Sequence, residues 1–163
     1  MRIIHRAAGL VAFSLVATFW TTSVIVELAG TRAAIAAAKE AIAWGLVALV
    51  PAVIVANASG MYRARARTGR DHKLPALLVR KRRRGIAVAV IGLTVLLPCA
   101  LWLAWEAPGT APLSSTFHAV QAIELVGGGI NLILLGLNAR DGYRMRARPR
   151  TAVTSTAVAG AGL

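Results

Sequence analysis

Glu124, Gln121, His118 and Asn131 are the residues whose types and spacing could do chemistry in this chain. They lie in LSSTFHAVQAIELVGGGINLILLGL, Leu113 to Leu137, a stretch that is otherwise apolar. At about 100° per residue the four fall on one arc of a helix, together with Gly128. The stretch is long enough to cross a bilayer. A carboxyl inside hydrocarbon costs about 3 kcal/mol on insertion scales. The arc must therefore face other helices or a cavity. A carboxyl so placed binds a proton or a cation, anchors a ligand, or hydrogen-bonds across helices. Residue counting puts Thr18 and Thr94 at its depth as candidate partners, with Trp44 further out. Gln121 and Asn131 extend the face, as lining or as interhelical glue. Gly127, Gly128 and Gly129 would let a flat group or a second backbone approach.

Histidine offers a second chemistry. The three histidines are His5, His72 and His118. His5 is expected at one membrane surface and His118 at the other, about 30 Å away, so they cannot share one haem iron. The single cysteine, Cys99, excludes an internal disulfide and a cysteine-based zinc site, and reads as a small core residue. The sequence has no phosphate-binding glycine loop, no H-E-x-x-H and no G-x-S-x-G.

The elements that must hold these residues are transmembrane helices. Hydrophobic residues make up 57% of the chain and charged ones 15%, against about 25% charged in soluble domains. Four apolar spans are expected, at about 7–29, 35–58, 85–105 and 113–137, in one domain covering 1–150. The connectors are 30–40, with Arg32, Lys39 and Glu40, a basic stretch at 57–84, and a turn at 106–112. Pro51 should kink the second span. Ser114 or Ser115 can cap the fourth. Residues 151–163 read as a disordered tail. The fold class is all-α, a polytopic up-down-up-down four-helix bundle.

Charge sets the expected orientation. The net charge is +13, and seventeen of the nineteen Lys and Arg lie before the first span, within 57–84 or after the fourth span. The positive-inside rule then puts both termini in the cytoplasm of a bacterial inner (plasma) membrane. Anionic lipid is the natural partner of these basic runs. The 57–84 run lacks interleaved aromatics apart from Tyr62, so no nucleic-acid partner is expected. A homo-oligomer or a larger membrane complex remains open.

His5 in IIHRAAG, Lys81 in LLVRKRRRG and Gly60 in ANASG resemble positions in small bacterial four-helix proteins of the copper-resistance-D type. That group includes a membrane protoporphyrinogen oxidase. The resemblance implies a b-type haem held by His5, with Lys81 as ligand or propionate partner. It also implies that Gly60 closes the second helix. Three functions follow as expectations: a haem-binding redox protein on His5, a proton- or cation-coupled transporter or channel subunit on Glu124, or a structural subunit of a membrane complex.

Overall fold

The computed structural model describes residues 2–68, 76–109 and 112–147. Helix α1 is Arg2–Ala29 and α2 is Arg32–Thr68. The third span is composite: α3, Ala76–Ile91, a π turn at Gly92–Leu96, and α4, Leu97–Glu106. Helix α5 is Ser115–Ala147. Among the described residues four helices are long and apolar enough to cross a membrane: Ile3–Ala29, Arg32–Tyr62, Val79–Glu106 and Ser115–Tyr143.

These spans run longer than the sequence implied, because backbone hydrogen bonding does not stop where the apolar run stops. Helix α2 starts at Arg32, with the Thr31 hydroxyl accepting from the Ala34 N–H at 3.2 Å as its cap. The expected connector at 30–40 therefore shrinks to Gly30 and Thr31, and Lys39 lies two turns inside the helix. At the other end α2 continues through Gly60, which does not close it. Much of the expected connector at 57–84 is thus helix. His72 and the expected tail at 151–163 fall outside the described residues. Ser114, of the two candidate caps, accepts from the Phe117 N–H at 3.1 Å.

Pro51 sits exposed within a helix that stays continuous. Pro98 is accommodated differently. A proline strips one N–H and crowds the carbonyl four residues back, here that of Thr94. The chain answers with the π turn just before it, in which the Leu97 N–H reaches back to the Gly92 carbonyl.

Helix α1 packs on α2 and α5, while the composite third span also packs on α2 and α5. The four spans thus form a ring in which α2 and α5 face each other across a diagonal. One end of the bundle carries the 29–32 and 107–114 turns. The other carries Arg80, Arg82, Arg83, Arg84 and Arg140, and is called the basic end below. A compact apolar core fills part of the turn end, where Ile35, Leu103, Ala107 and Phe117 bury one another beside Val26, Trp102 and Leu113. Many other apolar side chains are exposed, among them Leu28, Trp44, Trp105 and Ile133.

Candidate functional site

The expected arc on α5 faces inward. Phe117, Gln121, Glu124, Gly128 and Asn131 are buried in succession, at alternating spacings of four and three residues that keep one face toward the bundle centre. His118 falls off this seam and stays exposed.

Glu124 finds a partner that residue counting did not provide. Lys39 of α2 reaches across the diagonal and donates to Glu124 Oε2 at 2.5 Å. The side chains are 1% and 11% exposed, so water shields neither charge. Lys39 Nζ also donates to Ser23 Oγ of α1 at 3.3 Å. Three helices therefore converge on one ammonium. The expected partners are elsewhere. Thr18 and Thr94 are exposed, the Thr94 hydroxyl donating to its own helix at Val90 O, and Trp44 is 72% exposed. Lys39 escaped notice because it sits among alanines beside Glu40 and looks like connector. The signal was its register: Ile35, Lys39 and Ile42 are spaced four and three, and all three are buried.

Glu124 lies off the middle of its span, toward the turn end. It is nine residues into the Ser115–Tyr143 span, about 14 Å from the start at 1.5 Å per residue. The pair sits on the turn side of centre.

Toward the turn end, the next polar groups are Gln121 and the Glu27–His118 pair. Glu27 Oε1 and His118 Nδ1 are 3.4 Å apart. Neither polar atom of Gln121 has a hydrogen-bond partner among the described residues, though the residue is only 2% exposed. Glu27 Oε2 is likewise buried without one.

Toward the basic end, the surroundings of Glu124 turn apolar. A cavity of about 60 Å³ lies at the bundle centre, lined by Val16, Phe19, Trp20, Leu46, Leu96 and Leu125 among others, and by Ser23 and Glu124. The glycine run explains itself here. Trp20 Nε1 donates to the Leu125 carbonyl at 2.9 Å, and a Cβ on Gly128 would stand 2.9 Å from Trp20 Cδ1. The flat group that these glycines admit is the Trp20 indole, and Gly127 admits Leu96. Asn131 is buried beyond this layer, its Oδ1 without a partner among the described residues and its Nδ2 facing Gly92 of the π turn.

His5 and Lys81 meet different helices. His5 Nδ1 lies 3.0 Å from both the Ala56 carbonyl and Ser59 Oγ. Ser59 Oγ donates to Val55 O, so His5 Nδ1 is the donor to both oxygens. Gly60 leaves space for this ring, since a Cβ there would stand 3.3 Å from His5 Cε1. Lys81 Nζ lies against Gly142 of α5, 3.1 Å from where a Cβ would be. Nearby, Arg84 donates to Asp141 at 2.7 Å, a further tie between the third span and α5. The central cavity does not reach His5, and cofactor-sized pockets run about 300–1,000 Å³. Among the described residues no group of three or more His, Cys, Asp or Glu could hold a metal ion.

Comparison with family models, with curated proteins and with solved structures returns no match.

Proposed function

We propose that the chain is a small integral membrane protein that exchanges a proton inside the bilayer, as a proton-coupled transporter or channel subunit, with Glu124 and Lys39 as the exchanging pair. One observation carries this reading: an acid and a base buried at hydrogen-bond distance, across the diagonal of a four-helix bundle. Intramembrane ionisable pairs mark proton and ion routes more often than they serve packing alone. Moving one proton over this contact converts two charges into two neutral groups, so the pair can store or pass a proton with little rearrangement. A metal cation is the weaker cargo, because the Lys39 ammonium already occupies the carboxylate. The basic runs argue for both termini on the cytoplasmic side of a bacterial plasma membrane, with anionic lipid at that face.

The test is proton movement into sealed liposomes under an imposed membrane potential, read by an internal pH dye. Wild-type protein should acidify or alkalinise the lumen in step with the potential. Glu124→Gln should abolish this while unfolding as cooperatively as wild type. Undiminished flux in Glu124→Gln would end the proposal.

A second reading, haem on His5, is favoured by one feature. Histidines that ligate iron commonly donate their other ring N–H to a carbonyl, as His5 Nδ1 does to Ala56. His5 would hold the iron through Nε2, and Lys81 would meet a propionate. Such a haem would supply one-electron chemistry at the basic end, outside the central cavity.

A further inference from the structure

We infer that, in the conformation described, Glu124 and Lys39 exchange protons with the turn side, through an internal hydration site at Gln121 that opens between Glu27 and His118, and that passage on toward the basic end needs a second conformation in which the Trp20 layer opens. The inference rests on the proton-exchange reading and gives it a direction.

The polar groups between the pair and the turn end are stacked in layers. Ser23 and Glu27 are one helical turn apart on α1. Glu124, Gln121 and His118 are three residues apart in succession on α5. The Glu27–His118 contact at 3.4 Å shows that these turns face each other, and the Lys39 bonds to Ser23 and Glu124 show the same one layer deeper. Gln121 lies between, about 4.5 Å from each neighbouring layer along the axis. Its amide has two donors and one carbonyl, and its buried oxygen and nitrogen find no partner among the described residues. Leaving such a group dry costs about 1–3 kcal/mol for each unmet bond. Buried water meets this need where two or more polar groups converge. Glu27 Oε2, from the facing helix, is a second buried oxygen with the same need. The route reaches the surface because His118 is exposed and Glu27 partly so, at 56% and 23%. The apolar core of Ile35, Leu103, Ala107 and Phe117 closes the bundle centre at this end, with Phe117 one turn beyond Gln121 on α5, so the route passes beside Phe117 through Glu27 and His118. The polar seam belongs to α1 and α5.

The other direction is blocked. From Glu124 to the next buried polar side chain on α5, Asn131, is seven residues, about 10 Å. That interval holds the Trp20 indole pinned against Gly128 and a cavity whose walls are nearly all apolar. Beyond Glu124 and Ser23, which line it, this cavity offers water no polar side chain except the Trp20 indole, whose N–H is already donated to Leu125 O. Lys39 and Glu124 therefore sit at the inner limit of water reaching in from the turn end.

The experiment is nuclear magnetic resonance on the full chain in lipid, with ¹⁵N-labelled glutamine and lysine and ¹³C-methyl-labelled leucine. Water cross-peaks to the Gln121 amide are expected, and none to the methyls of Leu46 and Leu96 in the cavity. Deuterium exchange at the Lys39 ammonium should slow at least tenfold in Gln121→Leu and be unchanged in Asn131→Leu. A Gln121 amide without water contact, or Lys39 exchange slowed by Asn131→Leu instead, would overturn the inference. The wild-type cross-peaks decide the matter even if Gln121→Leu fails to fold. The two proposals fail separately. A dry Gln121 beside Glu124-dependent flux removes the route alone, whereas a wet Gln121 without such flux removes the proton reading.

Discussion

Lys39 of α2 and Glu124 of α5 bridge the diagonal of the bundle at 2.5 Å, although their helices do not otherwise pack on each other. The long lysine stem makes this reach possible. Ser23 of α1 shares the ammonium, so the pair ties helices that would otherwise be held only through their neighbours.

Breaking the pair from one side should strand a charge. Lys39→Met and Glu124→Leu are each expected to cost about 3–5 kcal/mol, the range for removing one partner of a buried ion pair. The double variant should recover most of that loss, since two apolar side chains then face each other. Thermal unfolding in detergent of all four proteins measures this. Additive losses in the double variant would mean that the two side chains act independently.

Gly128 should tolerate no Cβ without disturbing Trp20. The indole is held by its bond to the Leu125 carbonyl and cannot swing aside freely. Gly128→Ala is expected to destabilise by about 1–3 kcal/mol, as overpacking does. Gly136 on the same helix meets nothing within 4 Å, so Gly136→Ala should be neutral or slightly stabilising. Comparing the two melting temperatures separates crowding from helix propensity.

Orientation has a direct reporter. A fusion partner active only outside the cytoplasm should be active when inserted at Gly109 and silent when placed after Arg150. Lys39 lies inside the bundle, which leaves Arg32 alone as the basic residue at the turn end among those described. The charge asymmetry is therefore steeper than the connectors first suggested. The reverse reporter pattern would overturn the orientation.

Haem binding makes a spectral prediction. If His5 ligates iron, protein purified from haem-replete cells shows a Soret band, and His5→Ala loses it. Ser59→Ala and Gly60→Ala, which touch only the support and the space around the ring, should shift or weaken the band rather than abolish it. A colourless wild-type protein removes this reading.

The sequence by itself determined the all-helical class, the four spans and the inward face of α5. Each follows from a local property: apolar length, 3.6-residue periodicity, and the cost of a carboxyl in hydrocarbon. It also singled out Glu124 and Gln121, because such residues are out of place in an apolar run. Tertiary structure alone decided what they meet. Lys39 is 85 positions from Glu124 in the chain, and nothing local links them. The link is made by ring order, which sets α2 opposite α5, and by the register of α2, which turns Lys39 inward with Ile35 and Ile42. The same holds for the glycine run, whose flat guest proved to be Trp20 from α1. A residue's partner across a bundle depends on how whole helices are rotated and slid against each other, and that is fixed by the sum of all their contacts rather than by any one stretch.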